Sequence, residues 1–192
     1  MPLGEWWRRY RPVHLSWHPR RWGAPRVHRW GGRAGPASGP WPVAINGAAA
    51  TLIFRAVLAT AAWAGAPPLN PELWLGTFFT ADLPAAAVVG TVVMLAAGAG
   101  TAALYHALRP YLPEAPLAAG MRFGLGLWLV TGLIGFPVFA WLSPMVNNGL
   151  LLDPGAFGLG FGVLDAVILL LAYLVLGTAL ALGQALWMGA GR

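Results

Sequence analysis

The chain contains no cysteine and no lysine, and only 9% of its 192 residues are charged. Without cysteine there are no disulfides, no thiolate metal sites and no cysteine nucleophile. Soluble domains carry roughly 25% charged residues, so this chain has too few to solvate an ordinary globular surface. All twelve cations are arginine; a GC-rich genome explains that as well as chemistry does, and no function follows from it. Also missing are a nucleophile elbow, a phosphate-binding loop, a dinucleotide fingerprint and an HExxH pattern. Six acidic residues leave little for acid–base catalysis, and the chain is read as no enzyme.

What the chain has is apolar length. Hydrophobic residues make up 58% of it, and most of its 26 glycines sit inside apolar runs, where membrane helices tolerate them. Four runs, about 43–66, 84–108, 117–142 and 159–188, are each long enough to cross a hydrocarbon layer of ~30 Å. The predicted fold is all-α: an integral membrane four-helix bundle over 43–192, preceded by an irregular basic N-terminal arm and linker over 1–42. Pro67-Pro68 ends the first span. Asp82 followed by Pro84 predicts an N-cap and a first-turn proline opening the second. Pro137 predicts a kink in the third. Asn147-Asn148-Gly149 and Asp153-Pro154-Gly155 predict turns before the fourth, which is long enough to tilt. The loop Pro67–Leu83 holds Glu72 and Asp82 and reads as an interfacial segment, because of Leu73, Trp74, Phe78 and Phe79. The halves 43–108 and 117–188 are span pairs of one orientation with similar aromatic/glycine loops, which hints at a parallel repeat.

Charge is concentrated at one end. Residues 1–42 hold eight arginines and one glutamate (+7), and residues 43–192 hold four arginines and five acids (−1). In the arm, Arg8, Arg9, Arg11, Arg20, Arg21 and Arg29 alternate with Trp6, Trp7, Trp17, Trp22 and Trp30. This pairing suits anionic lipid headgroups, at ~1 kcal/mol for each arginine near the surface. It also suits docking onto other membrane protein subunits, where tryptophan and arginine dominate hot spots. Nucleic acid is set aside, since the arm is tethered to a membrane and has no recognition fold. The arm is expected to lie on the membrane surface and grip a neighbouring subunit. No apolar core of roughly 7–15 residues follows the first arginines, as a secretory signal would require. Arginine sits in the arm, the 109–116 turn and the C-terminus, and in neither of the other loops. The positive-inside rule then puts both termini in the cytoplasm, with four spans between.

Two formal charges are expected inside the hydrocarbon region, Arg55 and Asp165, while Arg122 lies in the first turns of the third span. Helix rise places them ~13–17 Å and ~9 Å below the same end of the bundle, and the long arginine side chain can snorkel toward its partner. They are expected to form an ion pair locking the first span to the fourth. Two other readings are a polar site for an anion, a quinone headgroup or a proton, and an Arg55 that faces another subunit. His106 is the only histidine in a span. Haem between helices usually needs a second axial ligand, and no other span has a histidine, although Met94, Met121 and Met188 are present. His106 therefore reads as an interfacial polar residue. His14, His18 and His28 match no metal-ligand spacing, so no metal is expected. No cofactor is predicted, and bound lipid, quinone, haem or pigment stay open. Gly120/Gly124 and Gly158/Gly162 are GxxxG matches, and Ala86/Gly90 and Ala179/Gly183 are small-xxx-small pairs, all expected to pack helices.

Several short stretches resemble uncharacterised bacterial four-span inner-membrane proteins of a domain family of unknown function. They are Ala49-Ala50-Thr51, the Gly65-Ala66-Pro67-Pro68-Leu69 break, Gly120-Met-Arg-Phe-Gly-Leu-Gly-Leu-Trp-Leu129 and Gly177-Thr-Ala-Leu-Ala-Leu-Gly183. The basic arm and Arg55 depart from that pattern. The resemblance implies four helices and no activity, and it assigns no site residue. The sequence as a whole reads as a non-catalytic accessory or scaffold subunit of a larger membrane complex, such as a respiratory or photosynthetic one. The alternatives are a small transporter or channel with a polar site at Arg55/Asp165, and a haem- or quinone-binding electron-transfer subunit.

Overall fold

The computed structural model describes residues 39–67 and 69–189. The arm residues Trp6, Trp7, Arg8, Arg9, Arg11, Trp17, Arg20, Arg21, Trp22, Arg29 and Trp30 lie outside that range. Among the described residues the chain is all-α, and four of its helical stretches are long and apolar enough to cross a membrane. This is the build of a multi-pass membrane protein.

The first helix, α1, runs Pro40–Trp63, starting three residues before the expected span. Pro40 and Pro42 occupy its first turn, where their missing N–H groups would have had no intrahelical partner. It stops at Ala64, and Gly65 follows at φ 95°, a left-handed conformation that ordinary side chains resist. The short helix α2 covers Pro71–Gly76. The second span, α3, covers Leu83–Leu108, and the Asp82 carboxylate caps it by accepting from the Ala85 N–H at 3.0 Å. Arg109 then holds the turn to the third span, its guanidinium donating to the carbonyls of Pro113 and Glu114 at 2.8 Å each.

The third span consists of α4 (Pro116–Val130), a π-helical turn at Thr131–Gly135 and α5 (Phe136–Leu142). Pro137 cannot donate to the carbonyl one turn back, and its ring crowds that turn. The wider turn just before it absorbs the conflict. After the four-residue α6 (Pro144–Asn147), Asp153 accepts from the Gly155 N–H at 2.8 Å, closing the expected turn. The fourth span, α7, runs Val163–Gly189. It starts about a turn later than the apolar run does, because Gly155, Phe157, Gly158 and Gly162 all have positive φ.

The spans are not arranged as a symmetric square. α1 packs on both α3 and α7, while α4 packs on α7; α3 and α4 touch through Tyr105 and Phe123, whose rings lie 5.1 Å apart. Glycine makes the closest contacts. A Cβ on Gly47 would overlap the Gly98 carbonyl between α1 and α3, and one on Gly120 would overlap the Gly177 carbonyl between α4 and α7. Gly124 lies equally close to the Tyr173 backbone. Such approach maximises dispersion contact where no hydrophobic effect drives helices together. The two halves thus repeat one plan, a helical hairpin closed by glycine against glycine.

Of the expected packing glycines, Gly120 and Gly124 pack helix on helix. Gly90 receives the backbone of α2, and Gly183 receives the Asn46 side chain from α1, whose amide donates to the Leu180 carbonyl at 3.0 Å. Gly158 and Gly162 are a correction. They lie in the loop before α7 with φ of 79° and 129°, and a GxxxG face needs a helix to align its glycines. Gly158 packs instead against the Leu169 side chain.

Candidate functional site

The linker after α1 does not lie across the ends of the spans. A Cβ on Gly76 would overlap the Ala86 carbonyl, and one on Gly90 would overlap the Glu72 carbonyl. The short helix therefore runs antiparallel to α3, its start level with Gly90 and its end level with Ala86. Gly90 is ~10 Å of helix rise from the start of α3, so α2 is re-entrant: it dips among the spans and comes back. Non-helical backbone at such depth is tolerated where protein covers it, and Leu69 just before α2 is buried. On the other side Trp74 stacks on Phe161 (centroids 5.2 Å, planes 14° apart) and meets Phe136 and Phe139 at 6.2 and 5.7 Å. Trp74 thus wedges α2 against α5 and the loop before α7, which corrects its reading as an interfacial residue. Phe78 and Phe79 remain exposed.

This fold brings Glu72 to Arg55. The two form an ion pair between Nη2 and Oε1, with side-chain exposures of 33% and 12% respectively. The expected partnership of Arg55 with Asp165 is therefore corrected. Along α1, Phe54 faces α7 and meets Tyr173 at 5.2 Å, whereas Arg55 shares the other face with Thr51 and Leu52. Asp165 sits in the first turn of α7, 1% exposed, and neither carboxylate oxygen has a hydrogen-bond partner among the described residues.

Beside the ion pair, a recess of about 230 Å³ lies between α1, α2 and α3, lined by Thr51, Leu52, Arg55, Glu72, Thr91, Met94 and Leu95. Thr51 and Thr91 donate their hydroxyl protons to the carbonyls of Gly47 and Ala87, at 2.9 and 2.8 Å. Leu52 and Thr91 are exposed, so the recess opens on the outer surface of the bundle. Its chemistry is one guanidinium held by one carboxylate, bordered by apolar side chains.

At the Pro40 end, the Gln184 side-chain amide donates to His106 Nδ1, tying α3 to α7. Among the described residues no three His, Asp or Glu side chains converge as a metal site would need.

Glu72 is the residue that sequence reasoning missed. The available signal was its place in Pro71-Glu-Leu-Trp-Leu-Gly76, where a first-turn proline and acid open a segment too apolar for a water-filled loop. Comparison with known protein families, with curated proteins and with solved structures finds no match.

Proposed function

We propose that the protein is a non-enzymatic membrane subunit that holds a lipid-soluble ligand at the Arg55–Glu72 recess. The observation that carries this reading is the guanidinium itself. An arginine inside an apolar span costs at least ~2.5–3.5 kcal/mol, and a purely structural pair would gain by closing over it. Here Arg55 is one-third exposed, at the edge of a cavity. Intramembrane ionisable groups that face a cavity mark ligand or ion sites.

A bacterial inner membrane, with the Pro40 end of the spans at the cytoplasm, completes the proposal. Arg109 and Arg122 lie toward that end, and the loops at the other end carry no arginine, which fits the positive-inside rule. The Trp/Arg arm supports a place in a larger complex, since those residue types anchor interfaces.

The test is purification of the full chain in a mild detergent, with mass spectrometry of what co-elutes. A lipid-soluble molecule retained by the native chain and lost when Leu52→Trp fills the recess is the expected result. Identical extracts from both proteins exclude the reading.

A further inference from the structure

We infer that the recess selects a neutral amphiphile whose headgroup carries carbonyl oxygens, a quinone ring or an acylglycerol ester. This rests on the reading of the recess as a ligand site and adds the class of ligand.

Arg55 and Glu72 cancel, and no other charged side chain lines the recess. Thr91 is eight residues into α3 and Arg55 eight residues before the end of α1, each ~12 Å of helix rise from the nearer ends of those helices. A charged headgroup drawn to that depth would bring a charge that nothing there balances. A phospholipid or a fatty acid anion is thereby disfavoured.

Arg55 engages Glu72 through Nη2, while a guanidinium has five N–H donors and no acceptor. The donors left over face a cavity whose other walls are Leu52, Met94, Leu95 and two threonines that already donate to their own helices. Among the described residues no group besides Glu72 accepts from those donors, and a ligand carbonyl does so without adding charge. Glu72 Oε2 is buried and has no hydrogen-bond partner among the described residues, so the guanidinium, not the carboxylate, is the group open to the ligand. A flat ring or a glycerol ester suits a space of about 230 Å³, and the alkyl tail leaves past exposed Leu52 into lipid.

The experiment measures binding to the full chain in mild detergent by native mass spectrometry. The probes are decylubiquinone and dioctanoylglycerol, each beside an analogue without carbonyls (a decylhydroquinone dimethyl ether and a dioctyl glycerol diether), and dioctanoyl phosphatidic acid as the anion. At least one carbonyl probe is expected to bind one to one and roughly 10–100-fold more tightly than its ether, the range of a hydrogen bond to a charged group. Arg55→Leu with Glu72→Leu removes both charges and the N–H donors together and should erase that preference, and Leu52→Trp should abolish binding. Which carbonyl probe binds identifies the source. If ethers bind as well as carbonyls, or the anion binds best, and Leu52→Trp still blocks them, the carbonyl class is overturned while the ligand site stands. If Leu52→Trp blocks no probe, the inference and the site fall together.

Discussion

Glu72 meets Arg55 from a segment that enters the bundle and leaves it again on the same side. The charge in α1 is thus neutralised within its own half of the molecule, by a helix of six residues. Removing one member leaves the other unpaired in an apolar setting, at ~3–5 kcal/mol. Arg55→Leu and Glu72→Leu should each destabilise the protein by about that much, and the double variant should recover most of it. The measurement is SDS-induced unfolding in mixed micelles. A double variant as unstable as the sum of the singles would show that the two do not interact.

Asp165 should behave independently of that pair. Arg55 faces away from α7, so Arg55→Leu and Asp165→Asn should add to within ~0.5 kcal/mol. Alone, Asp165→Asn removes a buried carboxylate that has no partner among the described residues, and the melting temperature should hold or rise. A fall of several degrees would reveal a partner for that carboxylate.

The re-entrant course of α2 can be mapped by labelling, because the chain has no native cysteine to interfere. Ala64→Cys, Ala81→Cys and Asn148→Cys should all react with a membrane-impermeant maleimide from one side. Leu69→Cys, buried at 5% exposure, should stay protected. Labelling of Ala64→Cys and Ala81→Cys from opposite sides would make α2 a crossing segment.

Glycine substitutions should divide by contact. Gly47→Val and Gly120→Val drive a branched side chain into the facing backbone and should cost ~1–3 kcal/mol or more. Gly100→Ala and Gly126→Ala meet nothing within 4 Å and should be neutral or stabilising by up to ~1 kcal/mol. Thermal unfolding of the four variants separates the groups.

Four spans, the Asp82 cap and the Asp153 turn could all be read from the sequence, because each depends on local composition: apolar length, a capping side chain, an Asp-Pro-Gly triplet. The partner of Arg55 could not. Helix rise put Arg55 and Asp165 at compatible depths, but depth says nothing about which face of α1 the arginine occupies, and that is set by Gly47 packing on Gly98. Six residues of α2 are less than two turns, too few for hydrophobic periodicity to register, so Glu72 read as part of a loop. Gly158 and Gly162 matched a helix-packing motif in a stretch whose neighbouring Asp153-Pro154-Gly155 signalled irregular backbone. Gly47 and Gly98 lie on different helices, where no spacing rule within one segment could pair them.

The nearness of Glu72 to Arg55 along the chain bears on biogenesis. A lone guanidinium emerging from the ribosome is a poor substrate for lateral release into lipid. Its counter-ion follows before α3 has been synthesised, so the first hairpin can partition into the bilayer with its charge already matched. A partner at position 165 would have left that arginine waiting for most of translation.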